Sequence, residues 1–121
     1  MGKKIPPWKE NLKKEILDQA KECGQENWDG YEACAVTIAS LACATRFLDL
    51  LPDYISAPEI CVEPDGEFSF DWLKVQGGRF SVSVSPTRLN YAGIFGKEHL
   101  HDSTEFKDEI PRPILELIKR F

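Results

Sequence analysis

Phe68-Ser69-Phe70-Asp71-Trp72, and beyond a Gly77-Gly78 break Phe80-Ser81-Val82-Ser83-Val84-Ser85, decide how this chain folds. Apolar and polar residues alternate at period two in both runs, the pattern of strands with one face buried and one in water. Upstream, Ile60 and Val62 alternate with Glu59, Cys61 and Glu63. Pro64-Asp65-Gly66 then makes a turn, because Pro presets φ and Gly accepts a positive φ. Downstream, Pro86-Thr87 turns again, and Leu89, Tyr91 and either Ile94 or Phe95 outline a fourth strand. Short consecutive strands joined by tight turns predict an antiparallel meander.

On both sides of the meander the period changes to that of a helix. Trp8, Leu12, Ile16, Ala20 and Cys23 recur at helical spacing, with Lys and Glu between them, and Gly24 ends the run. Thr37 is a suitable N-cap for a second helix reaching about Leu51, with Leu41, Ala44, Leu48 and Leu51 on one stripe and Pro52 as its stop. Residues from Gly96 to Ile110 read as a polar loop. Pro111-Arg112-Pro113 then opens a last helix carrying Ile114, Leu117, Ile118 and Phe121. Strands grouped together, rather than alternating with helices, give an α+β domain of order ααββββα, a four-stranded sheet with its helices mainly on one face. Residues 1–7 are expected to be a flexible arm and residues 8–121 a single domain.

Composition excludes several functions. The net charge is −5, with 42% hydrophobic and 29% charged residues, which suits a soluble globule and opposes a phosphate-gripping surface. The N-terminal lysines Lys3, Lys4, Lys9, Lys13 and Lys14 are interleaved with Glu10 and Glu15, as on a solvated helix face. No apolar run spans a bilayer, no secretory h-region follows the first residues, and Pro6 stands where myristoylation wants Ser or Thr. A cytoplasmic location follows as the expectation. The four cysteines, Cys23, Cys34, Cys43 and Cys61, form no C-x-x-C pair and read as free thiols, buried where the pattern is apolar.

Catalytic and cofactor signatures are weak. Glu67 and Asp71 share a strand face about 13 Å apart, too far to share a proton. His99 and His101 are two apart and would share a face in a strand, but the segment reads as loop and spacing nominates no third metal ligand. Gly77-Gly78 and Gly93 with Gly96 match neither a P-loop nor a dinucleotide fingerprint. The expectation is a chain that is not an enzyme and carries no cofactor or metal.

Two features remain as recognition candidates. If the Phe, Trp and Val residues face the helices, the opposite face displays Glu59, Glu63, Glu67 and Asp71, with Asp65 in the adjoining turn. Carboxylates of one sign steer basic surfaces toward them. The second feature is Asn27-Trp28-Asp29-Gly30-Tyr31 between the first two helices. Asp-Gly is turn chemistry, while Trp28 and Tyr31 either clasp the loop onto the domain or stand exposed as interface anchors.

The chain resembles a family of short, uncharacterised bacterial proteins. Asn27-Trp28-Asp29-Gly30 followed by Ala33, Phe47-Leu48-Asp49-Leu50-Leu51-Pro52, Pro58, Ile60, Pro64-Asp65-Gly66, Phe70 and Trp72 carry the resemblance, across roughly residues 25 to 95. It departs from the family in having Ala35-Val36-Thr37 where Pro commonly precedes the second helix. The family offers no activity or catalytic residues to carry over. Its members resemble accessory genes of bacteria and mobile elements, which implies defence, antitoxin or inhibitor roles, and the size and acidity of the chain suit an antitoxin, immunity or inhibitor role. The expectation is non-catalytic binding of another protein with a basic surface, without membrane or direct nucleic-acid binding. A small-molecule pocket between the second helix and the sheet, a nucleic-acid mimic, and a homodimer through the open face stay open as alternatives.

Overall fold

The computed structural model describes residues 5–28, 30, 35–74 and 77–121. Its strands are β1 (Glu59–Val62), β2 (Phe68–Leu73), β3 (Arg79–Val84), β4 (Arg88–Phe95) and β5 (Glu98–Glu105), in the spatial order β1-β2-β3-β4-β5. Every neighbouring pair is antiparallel. The sheet therefore has five strands, not the four that hydrophobic alternation predicts. Gly96 and Lys97 form a two-residue hairpin between Phe95 and Glu98, with Gly96 at φ 65°. That turn converts the expected polar loop into β5. The strand escapes an alternation search because Leu100, Asp102 and Thr104, on its inner side, are half-buried or exposed.

Register fixes the two faces. Ile60 lies opposite Phe70, Phe70 opposite Val82, and Val82 opposite Tyr91. These residues, with Val62, Phe68, Trp72, Phe80, Val84 and Leu89, make the inner face, and all except the half-buried Tyr91 are buried. Gly93 lies opposite Phe80, and a Cβ there would come within 2.7 Å of the Phe95 ring and 3.2 Å of the Phe80 ring. Gly93 therefore makes room for two aromatic rings.

The helices are α1 (Pro7–Glu22), α2 (Ile38–Leu50) and α3 (Arg112–Ile118). Thr37 caps α2 as its sequence predicts, its Oγ1 accepting from the Ser40 N–H at 3.0 Å. Ala44, Phe47 and Leu48 of α2 are fully buried, and the Phe47 ring lies 4.8 Å from that of Phe70. Ile114 and Ile118 bring α3 into the same core.

Lys9 departs from the expected solvated face. It is buried on α1, and its Nζ donates to the Leu51 carbonyl and, at 3.4 Å, to that of Asp49. The same ammonium meets Asp53 at 2.8 Å, and Trp8 Nε1 donates to the Asp53 carbonyl at 3.1 Å. A cation placed on the last carbonyls of a helix complements its dipole. Trp8 and Lys9 thus fasten α1 to the end of α2, which gives Leu50-Leu51-Pro52 a structural purpose.

Candidate functional site

The outer face of the sheet is built by the residues that alternate with the core. Four rows cross it by register. Glu59, Asp71, Ser81, Ala92 and His101 form one; Cys61, Ser69, Ser83, Asn90 and Ser103 form the next. Leu73, Arg79, Ile94 and His99 form a third at one end of the strands. At the opposite end stand Glu63, Glu67, Arg88 and Glu105, where the Glu63 N–H donates to the Glu67 carbonyl at 2.8 Å. The helices lie on the other side, so this face is open.

Charge is unevenly divided across it. Glu59, Glu63, Glu67 and Asp71 stand on or beside β1 and β2, and Asp65 joins them from the turn, its Oδ1 accepting from the Glu67 N–H at 2.9 Å. Gly66, at φ 84°, closes that turn by donating to the Glu63 carbonyl at 2.8 Å, as Pro64-Asp65-Gly66 predicts. Among the described residues none of these five carboxylates forms an ion pair; the pairs are Lys9–Asp53, Lys13–Asp49, Lys107–Glu105 and Arg112–Glu116. Their nearby partners are hydroxyls: Ser69 donates to Asp71 at 2.9 Å, and Ser83 donates to Glu63. Partial burial pushes the Glu67 carboxyl above its ordinary value, and the charges of Asp65 and Glu63 push it further. Cys61, exposed between Glu59 and Glu63, has its thiol raised by burial first and then by Asp71 and Glu63.

The other half of the face carries two arginines, to which the sequence reading gives no role, and the two histidines. Arg79 on β3, Arg88 on β4, and His99 and His101 on β5 all face outward with the serines. Arg88 Nη2 donates to Ser103 Oγ at 2.7 Å. The small residues between them leave a shallow depression of about 500 Å³ lined by Ser81, Ser83, Asn90, Ala92, His101 and Ser103, among others. The signal for this half was the Gly96-Lys97 hairpin, which sets His99, His101 and Ser103 of β5 beside Ile94, Ala92 and Asn90 of β4.

His99 and His101 do share one strand face, since their segment is a strand and not the expected loop. Among the described residues no group of three or more His, Cys, Asp or Glu is placed to hold a metal ion. Cys23 and Cys43 are buried thiols, as their patterns predict, while Cys61 is exposed because it alternates outward on β1. Cys34 lies outside the described residues.

Of the interhelix motif, Asn27, Trp28 and Gly30 are among the described residues. Trp28 is half-buried and packs against the hydrophobic core. Asn27 and Gly30 both take positive φ, 61° and 78°, and the Gly30 N–H donates to the Asn27 carbonyl at 3.1 Å. The Val36 N–H donates to the Cys23 carbonyl at 2.9 Å, which joins the two ends of the segment. Asp29 and Tyr31 lie outside the described residues.

Among the described residues no helix is long and apolar enough to cross a membrane. Comparisons of the chain with protein-family models, with curated proteins and with solved structures each return no match, so a functional reading rests on the geometry of this face.

Proposed function

We propose that this chain is a non-catalytic recognition module that docks a basic surface of another protein on the β1–β2 end of its open sheet face. The observation that carries the reading is the group Glu59, Glu63, Asp65, Glu67 and Asp71, held on rigid strands and one tight turn without an ion-paired cation among the described residues. Like charges held together cost free energy that a cationic partner recovers on binding, and the shared sign speeds encounter. Burial first, and then the charges of Asp65 and Glu63, hold the Glu67 carboxyl above its ordinary value, so part of that rise comes from the repulsion. An antitoxin, immunity or inhibitor role, acting by steric and electrostatic masking, suits a small acidic domain of this kind. Against a small-molecule pocket between α2 and the sheet stand Phe47, Leu48, Phe70 and Val82, which fill that interface with fully buried side chains.

The test is charge reversal. Changing Glu63, Glu67 and Asp71 together to Lys is expected to abolish partner capture while leaving the thermal unfolding midpoint nearly unchanged. Capture that survives the reversal rejects this surface as the docking site.

A further inference from the structure

We infer that the open sheet face also pairs with a second copy of this chain, face to face, about a two-fold axis running along β3. One surface carries the opposite charges that two copies need to meet. The face is acidic over β1 and β2 and bears Arg79, Arg88, His99 and His101 over β3 to β5. A two-fold axis parallel to the strands and centred on β3 lays β2 of one copy over β4 of the other, and β1 over β5. Strand direction and row are both preserved by that operation. Glu67 then meets Arg88 of the second copy, and Glu59 meets its His101, each contact occurring twice, as an isologous interface requires. Glu63 falls near Glu105 of the second copy, where Lys107, 3.2 Å from Glu105, offsets the like charges.

A second observation comes from apolar residues. Leu73 and Ile94 are exposed, at 58% and 38%, and both stand on the outer face. They lie in the same row, one strand to either side of β3. The same operation sets Leu73 of one copy on Ile94 of the other. On the axis itself Ser81 and Ser83 are small enough for two sheets to approach at the usual separation of about 10 Å. Arg79 meets its own counterpart across the axis, at the end of the sheet where a long side chain can swing aside.

The contact is small. Five strands at about 4.8 Å spacing and about six residues of length give on the order of 500 Å² per copy, the lower end of specific interfaces. A contact of this size suits a weak, concentration-dependent dimer that a more basic partner can displace.

Sedimentation velocity from about 1 to 300 µM tests this directly. The wild-type chain is expected to pass from monomer to dimer over that range; a monomer throughout overturns the proposal. Glu67→Arg and Arg88→Glu are each expected to weaken the dimer at least about tenfold. Mixing the two variants restores it. In the mixed dimer one 67–88 contact keeps its original pair of charges, and the other carries the same pair with the signs exchanged. Failure of the mixture to recover dimerisation overturns the stated geometry, even where each variant alone is monomeric. Leu73→Asp is expected to abolish the dimer without touching the acidic end. The two readings separate cleanly: loss of the dimer with capture still sensitive to charge reversal refutes only this inference, and a dimer with reversal-insensitive capture refutes only the recognition role.

Discussion

The two faces of one sheet are made by neighbouring residues, yet they follow opposite physical rules. Phe70 is fully buried beneath Phe47, while Asp71, one residue on, looks outward toward Ser81. The inner face is specified by shape: aromatic rings at centroid distances of 4.8 to 6.5 Å, and a glycine where a methyl group would collide. The outer face is specified by charge and small size, and little of it is needed to hold the fold together. A face that costs the fold so little to change is free to serve recognition. Single-residue changes at adjacent positions therefore test the division.

The largest effect is expected at Phe70. Phe70→Ala should lower stability by about 3–5 kcal/mol in denaturant unfolding, whereas Asp71→Ala should stay within about 0.5 kcal/mol. Equal losses at the two positions would break the comparison. Lys9→Ala is expected to cost about 2 kcal/mol, since it removes charge-assisted bonds to the end of α2 and leaves those carbonyls without that donor. An effect near zero would reduce the α1–α2 fastening to a surface ion pair.

Those positions differ greatly in how visible they are from sequence. β1 to β4, the Pro64-Asp65-Gly66 turn, the Thr37 cap and the assignment of Phe70 and Asp71 to opposite faces all follow from period, turn chemistry and capping, which are local. β5 does not follow, because its inner residues Leu100, Asp102 and Thr104 are not fully buried and so need not be apolar. Lys9 reads as one lysine among several because its partners, Leu51 and Asp53, are some forty residues away and only the packing of α1 on α2 brings them close. The acidic half of the outer face was legible because it alternates with the core. His99 and His101 were hidden with β5, whereas Arg79, Arg88, Leu73 and Ile94 stand on β2 to β4 and gain meaning only once register brings the strands into one face.

Smaller effects sharpen the account of the outer face. The folded protein raises the Glu67 carboxyl above the ordinary 4.5, so the fold favours its protonated form. That contribution is fully present below the ordinary value and is lost as pH rises through the raised one. Glu67→Gln should therefore raise the unfolding temperature slightly at neutral pH, with the gain disappearing as pH falls below the ordinary carboxylate range. A gain that persists in acid would point to a cause other than charge. Cys61, exposed on the same face, should be alkylated by iodoacetamide well before Cys23 and Cys43 in the native protein, by peptide mass spectrometry. Replacing Asp71 with Asn should speed that reaction, because the neighbouring carboxylate disfavours the thiolate.

Recognition by the acidic end is tested most directly by parallel capture. The wild-type chain and the Glu63, Glu67 and Asp71 triple Lys variant serve as paired baits in extract of the native host, with quantitative mass spectrometry of what each retains. A basic protein is expected to be retained by the wild type, lost from the variant, and released by added salt, while both baits unfold at nearly the same temperature. Retention of the same proteins in the same amounts by both baits would contradict it.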